Sequence, residues 1–375
     1  MKVLLLMNSL GAGGAERSMV EFAKFLHGKP DISVSFVCLE RRKIGLEEEV
    51  EDSGVRTLYY WGKKGYKTKS QFLLKILRSE RPDIIHSVLV DSNIVLRFAR
   101  LFYKSGSVVQ SLVNTPYSHE RKKDNQLPWH KFLLAKQLDK WTARMIPDIF
   151  YHSITKEVLN HYIPIYGIKN NFRVIYRGRY ENKFLGVKSE NKNFTLINAG
   201  RQEFAKAQID ILKALKYLRS KYQLTDIKFQ LLGRPGHYTK KINDFIAEND
   251  LEDQVEIPGF VKNVEERLVK ADVFVFPSYY EGLGGALIEA FAAKLPCICS
   301  NIPVLKEVVG SEKGALFCDP GDYQKLGDNI YQLYNDENLR KELSEYSYTN
   351  FEKKYKLEKI NTEMLQMYRD LIKSK

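Results

Sequence analysis

Short apolar runs alternate with stretches whose apolar residues recur at helical spacing along nearly the whole 375-residue chain. In the first half, the runs at 2–10, 34–39, 55–60, 84–88, 107–113, 149–154 and 172–177 each predict a strand. Between them, 16–27 and 71–79 predict helices. Strands alternating with helices imply a parallel sheet covered on both faces, whose ligands bind beyond the carboxyl ends of the strands. A second series runs from strand 194–199 through helix 208–221, strand 227–232, helix 240–249, strand 255–257 and helix 264–270 to strand 273–276. The polar stretch 180–193 between the two series is the expected linker. Past Pro320 the pattern is mostly helical. Leu357, Ile360, Met364, Met367, Tyr368 and Leu371 form one stripe of a terminal helix over 356–372. The chain therefore reads as α/β with two domains, which its length also favours.

Composition narrows the class without changing this picture. With 44% hydrophobic and 28% charged residues the chain is globular, and no uninterrupted apolar run approaches the roughly eighteen residues of a membrane span. Residues 2–7 read as a first strand, because Asn8-Ser9 and a glycine loop interrupt any signal-peptide pattern. Cys38, Cys297, Cys299 and Cys318 have neither redox nor zinc spacing, so reduced thiols in a cytoplasmic protein are expected. The net charge of +13 suits anionic partners such as phosphates, acidic lipid or nucleic acid, although a generally basic solvated surface accounts for much of it. A nucleic-acid binder would show stacking platforms or a dense Lys/Arg helix, and neither is apparent, so no nucleic-acid partner is expected.

Candidate chemistry concentrates at 271–291. A buried strand ends at Pro277, and the loop Glu281-Gly282-Leu283-Gly284-Gly285 leads into a helix that carries Glu289. The glycines allow close backbone approach to a ligand. The helix start offers free N–H groups and the positive end of its dipole to a phosphate. Glu281 and Glu289 could each accept hydrogen bonds from vicinal sugar hydroxyls, which outlines a nucleotide-sugar site. Gly200-Arg201-Gln202-Glu203-Phe204-Ala205-Lys206 follows the first strand of the second series, where Arg201 and Lys206 could converge on a diphosphate.

These elements resemble the retaining GT4 glycosyltransferases: the E-x7-E pair Glu281/Glu289, the Gly-Arg…Lys element with Arg201 and Lys206, and the glycine loop at 11–15 containing Gly13 and Gly14. Ala207 stands where the family usually has glycine. The strand-ending turn at Gly233 and the segment around Phe260 resemble the family's nucleoside and base contacts. The resemblance implies a GT-B fold: two facing Rossmann-like domains at 1–180 and 181–354, with a helix at 355–375 crossing back to the first. It implies a donor site built from Gly13, Gly14, Arg201, Lys206, Gly233, Phe260, Glu281, Gly282, Leu283, Gly284, Gly285 and Glu289. Glu281, Arg201 and Lys206 would carry the chemistry. Retention of anomeric configuration follows from the family alone, as does attack on the face the leaving group departs from. No cofactor is expected beyond the donor, with a UDP-sugar the leading choice. No metal is expected either, since no D-x-D triplet or ligand-spaced cluster occurs. A nucleotide-sugar 2-epimerase of the same architecture is the rival enzyme.

The acceptor side agrees less closely with the family. Asn114 stands near the family's usual histidine, and an asparagine cannot exchange a proton near neutral pH. His119 and His86 are the other candidates. Two basic stretches suggest a lipid-linked glycan acceptor at an anionic membrane surface, with the protein peripheral at its inner face. One is Lys63, Lys64, Lys67 and Lys69 beside Trp61 and Tyr66. The other is Arg121, Lys122 and Lys123 ahead of a helix at 129–145. There Leu134, Leu138, Trp141 and Met145 run beside Lys131, Lys136, Lys140 and Arg144. The alternative is that this apolar stripe packs on the first sheet.

Overall fold

The computed structural model describes residues 1–11, 13–41, 45–124, 128–186 and 193–374. Ala12 of the first glycine loop, residues 187–192 of the expected linker and the side chains of Lys122 and Lys123 lie outside the described residues. The chain divides into two compact units. Unit 1 comprises 1–117, 126–177 and 358–375, and unit 2 comprises 118–125 and 178–357.

Unit 1 is built on seven parallel strands: β1 (Lys2–Met7), β2 (Ser33–Cys38), β3 (Arg56–Tyr59), β4 (Ile84–Val88), β5 (Ser107–Leu112), β6 (Ile149–Ser153) and β7 (Phe172–Val174). Their order is β3-β2-β1-β4-β5-β6-β7. Strand β1 is buried from Val3 to Met7, as a strand covered on both faces must be. Helix α1 (Gly14–His27) begins two residues before the sequence pattern suggests, because Gly13 serves as its extended N-cap. The inner face of α1, through Met19, Phe22 and Leu26, shares one core with Ile360, Met364, Met367 and Tyr368 of the terminal helix Leu357–Lys373. Phe22 meets Tyr368 edge to face, with ring centroids 5.6 Å apart.

His86 requires a correction. It sits mid-strand in β4, fully buried, rather than on a ligand-facing rim. Its Nδ1 pairs with the Tyr368 hydroxyl at 2.5 Å and its Nε2 with Ser111 Oγ at 2.7 Å. Ser111 Oγ continues to His152 Nδ1 at 2.7 Å, and His152 Nε2 reaches the Ile175 carbonyl at 2.8 Å. A carbonyl can only accept, so His152 donates from Nε2 and its Nδ1 must accept from Ser111. Ser111 then accepts from His86 Nε2, and His86 Nδ1 accepts from Tyr368. One proton arrangement satisfies every member, with both imidazoles neutral. Burial lowers both histidine pKa values, that of His152 to about 4.

Helix α2 (Trp129–Met145) also departs from the packing alternative. The side it buries carries Phe132, Asp139, Thr142 and Ala143. Leu134, Trp141 and Met145 face solvent, with Trp141 68% exposed. Asp139 is fully buried and accepts from Arg97 Nη1, Tyr117 Oη and Tyr166 Oη, each at 2.7 Å. Arg97 comes from the helix Val90–Arg100, whose arginines obscured its pattern: two of the charged residues point inward.

Unit 2 has six parallel strands, β8 (Thr195–Ala199), β9 (Lys228–Leu232), β10 (Val255–Gly259), β11 (Val273–Phe276), β12 (Cys297–Ser300) and β13 (Leu316–Cys318), in the order β10-β9-β8-β11-β12-β13. The chain steps outward from β8 to β10, then returns to the other side of β8 at β11. That reversal places a crevice-forming switch point between β8 and β11.

Candidate active site

The loops after β8 and β11 leave the sheet side by side at this switch point and are tied together. Tyr279 N–H donates to Ala205 O at 2.9 Å, the rings of Phe204 and Tyr279 stack at 4.7 Å, and Tyr279 Oη donates to Asp210 Oδ2 at 2.6 Å. Burial and the neighbouring Asp210 carboxylate raise the Tyr279 pKa, keeping it a neutral donor. Ala207 turns the first loop into the helix Gln208–Tyr222 with φ 49°, a left-handed conformation that costs an alanine more than a glycine. Gly284 makes the matching turn after β11 with φ 81°, and a Cβ there would press on Leu305 and Phe276. Helix α3 (Gly285–Ala292) then begins, directing its first N–H groups toward the switch point.

Lys206 and Glu281 meet across these loops. Lys206 Nζ lies 2.5 Å from Glu281 Oε1, which also accepts from Ser278 Oγ at 3.0 Å. The ammonium lies 5.4 Å from the Phe276 ring centroid. Only 10% of the Glu281 side chain is exposed, so the pair is held in a partly dry setting where its charges act strongly. Arg201 does not join it: its guanidinium pairs with Glu203 at 2.8 Å and the side chain is 68% exposed. Glu289, on α3, accepts from Arg179 Nε at 2.7 Å.

The remaining expected donor residues have distinct settings. Gly233, at φ 142°, has no room for a Cβ, which would stand 2.0 Å from Gly200 O. Phe260 is exposed, with the Arg234 guanidinium 4.5 Å from its ring centroid. Leu283 is buried, so only its main chain is available to a ligand. Gly282 continues the same loop. In unit 1, Gly13 and Gly14 open α1, and among the described residues no atom lies within 4 Å of a Cβ built on Gly14. Asn114 is half-buried just past β5. His119 is exposed at the start of the short helix His119–Asp124, which belongs to unit 2 despite lying in the span expected for the first domain. Asp124 anchors that helix, accepting from Tyr280 Oη and pairing with His237 Nε2 at 2.9 Å.

Sequence reasoning missed Arg179, Ser278, Tyr279 and Asp124. Arg179 carried one available signal, a charged residue in Arg-Gly-Arg beside the linker.

Two family models match: glycosyl transferases group 1 over residues 180–350 and Glycosyltransferase Family 4 over residues 12–180. The chain belongs to the GT4-type glycosyltransferases. This glycosyltransferase is 27% identical over 318 residues to a capsular polysaccharide biosynthesis glycosyltransferase, CapH, of Staphylococcus aureus, covering 82% of this chain and 83% of the relative. It is 24% identical over 354 residues to a Campylobacter jejuni α-1,4-N-acetyl-D-galactosaminyltransferase acting on an undecaprenol-diphosphate-linked saccharide, covering 92% and 91%. Among solved structures, Anabaena HepE in complex with UDP aligns with a TM-score of 0.83 at 16% identity, over 99% of this chain and 100% of that one. The glycosyltransferase WaaG of lipopolysaccharide biosynthesis aligns with a TM-score of 0.77 at 12% identity, over 98% and 99%. Likeness at these identities fixes the fold, which is GT-B.

Proposed function

We propose that this glycosyltransferase moves a hexosyl group from a UDP-sugar to a lipid-linked glycan, with retention of configuration and without a metal ion, in cell-surface polysaccharide assembly. The observation that carries the reading is the Lys206–Glu281 pair at the switch point of unit 2, beside the N-terminus of α3. A donor entering there exchanges partners. Its diphosphate takes the Lys206 ammonium and the α3 amides, the transferred sugar's hydroxyls take the Glu281 carboxylate, and the ribose hydroxyls take that of Glu289. As the sugar–phosphate bond breaks, Lys206, Arg201 and the amides offset the charge developing on the departing UDP. A phosphate oxygen accepts the acceptor's proton, so no protein nucleophile is needed. The names of the relatives support an acceptor of the lipid-linked class.

The lipid side of the reading rests on α2, where Leu134, Trp141 and Met145 face solvent near Lys131, Lys136, Lys140 and Arg144. Such a face suits the interface of an anionic membrane at its inner leaflet. Among the described residues no helix is long and apolar enough to cross a membrane.

Incubation with a panel of nucleotide sugars, with and without EDTA, tests the chemistry. Slow UDP-sugar hydrolysis and acceptor-dependent transfer that survive EDTA are expected. Strict dependence on Mg²⁺ or Mn²⁺ overturns the metal-free account, and release of an epimerised sugar without acceptor overturns transfer. Liposome flotation tests the surface: binding should need anionic lipid, fade in high salt and fall when Lys131, Lys136 and Lys140 become glutamate. Equal flotation with neutral vesicles, or none, favours an acceptor met in solution.

A further inference from the structure

Arg179 is charged, largely buried and unassigned by the motifs that define the donor site. Its side chain is 15% exposed and holds Glu289 through Nε, while Nη1 donates to Gly178 O at 2.9 Å. The main chain beneath it is fixed as well. Arg179 N–H donates to Tyr355 O at 2.8 Å, and its carbonyl accepts from Leu357 N–H at 2.9 Å. Residues 178 and 357 begin and end the long stretch of unit 2, so the arginine is anchored where that unit's two ends meet. The guanidinium reaches α3 because residue 285 is glycine: a Cβ there would stand 2.1 Å from Arg179 Nη2.

This arrangement is unusual for a cation. The start of a helix repels positive charge, and Arg179 stays there because Glu289 neutralises it. The carboxylate is affected in return. Its Oε1 is engaged by Arg179, which restricts the rotamers of the side chain and leaves the other oxygen for a second partner. A glutamate on a helix surface otherwise samples many rotamers. Lysine would supply the charge without the rigid planar fork through which Nε and Nη1 face the carboxylate and the Gly178 carbonyl at once.

We infer that Arg179 is a positioning residue for nucleotide recognition: it aims Glu289 at the ribose hydroxyls of the donor. The inference rests on the donor reading above, and it makes Arg179 the determinant of how strongly the site prefers a ribonucleotide. Isothermal titration of UDP and of 2′-deoxy-UDP into the full-length protein tests it, with thermal melting to verify folding. Wild type should favour UDP about tenfold, the discrimination expected of one hydrogen bond to a charged acceptor. Glu289→Gln should reduce that preference, and Arg179→Ala should reduce it by a comparable factor while Glu289 is still present. Arg179→Lys should recover part of the UDP affinity through charge but little of the preference. The double variant Arg179→Ala/Glu289→Gln should be no worse than the weaker single.

A merely structural arginine, or one that touches the phosphates directly, weakens UDP and 2′-deoxy-UDP by the same factor. An unchanged ratio in Arg179→Ala and Arg179→Lys therefore overturns the inference while leaving the donor reading intact. Wild type that binds neither nucleotide overturns the donor reading itself, and the inference with it.

Discussion

The two sheets share a strand order, 3-2-1-4-5-6 counted within each unit, yet their fourth strands differ in kind. In unit 1 that strand is β4, Ile-Ile-His-Ser-Val, with His86 and Ser87 fully buried. In unit 2 it is β11, Val-Phe-Val-Phe, apolar throughout, and the polar chemistry begins only beyond its carboxyl end with Ser278 and Glu281. A polar group inside a strand must find its partners within the fold, since no water can serve it. A polar group just past the strand's end can be shared with a ligand. Unit 1 accordingly closes its polar residues into internal networks, from Tyr368 to Ile175 and around Asp139. Unit 2 keeps its charges in pairs at the rim, Lys206 with Glu281 and Arg179 with Glu289, which a donor can enter. Unit 1's buried polar groups should thus govern stability, and unit 2's rim should govern activity.

The strongest test breaks the unit 1 network. Asp139→Ala leaves Arg97 buried without its counter-charge and two tyrosine hydroxyls without their acceptor, so about 3–5 kcal/mol of stability should be lost. Urea unfolding measures it, and a loss below about 1 kcal/mol would refute the structural role. The reciprocal test is Glu281→Gln. Turnover should fall roughly ten- to a hundred-fold, equivalent to about 1.5–3 kcal/mol, while unfolding midpoints move less than in Asp139→Ala, because the more exposed Lys206 can reach water. Unchanged turnover removes Glu281 from the chemistry.

Acid sharpens the contrast. His86 and His152 have pKa values below the usual 6.5 when folded, so the unfolded chain takes up their protons first. Their contribution is fully present above about pH 6.5 and is lost as pH falls toward the folded-state values. Two such groups should cost about 2 kcal/mol between pH 6.5 and 5.5, and His152→Gln should flatten the slope. A stability that does not change across that interval would contradict neutral buried imidazoles. The smallest effect is expected at Trp141→Ala. Removing a core tryptophan costs about 3–5 kcal/mol, but this one faces solvent and should change stability by no more than about 0.5 kcal/mol. A larger loss would mean that α2 buries its apolar face after all.

Local information was legible from the start. The alternation of strands and helices, the terminal amphipathic helix, the loops carrying Glu281 and Lys206 and the helix carrying Glu289 all depend on neighbours within a few residues. Strand ends were less so: β1 stops at Met7 rather than at Leu10, because the chain leaves the sheet at the polar Asn8-Ser9. The helical stripe of α2 was equally visible, but periodicity identifies a stripe without saying which side of it is inside. Arg97 decided that by drawing Asp139 inward.

By itself the sequence determined the fold class, the family and the spacing of its glutamates, because residue order alone carries pattern and motif. Only tertiary structure decided the partners. His86 meets Tyr368 across 282 positions, Arg179 meets Glu289 across 110, and Lys206 meets Glu281 across 75. Such pairings follow from strand order and chain return. Charge pairing needs proximity within a few ångströms, and no local pattern encodes which distant residue the sheet will bring there.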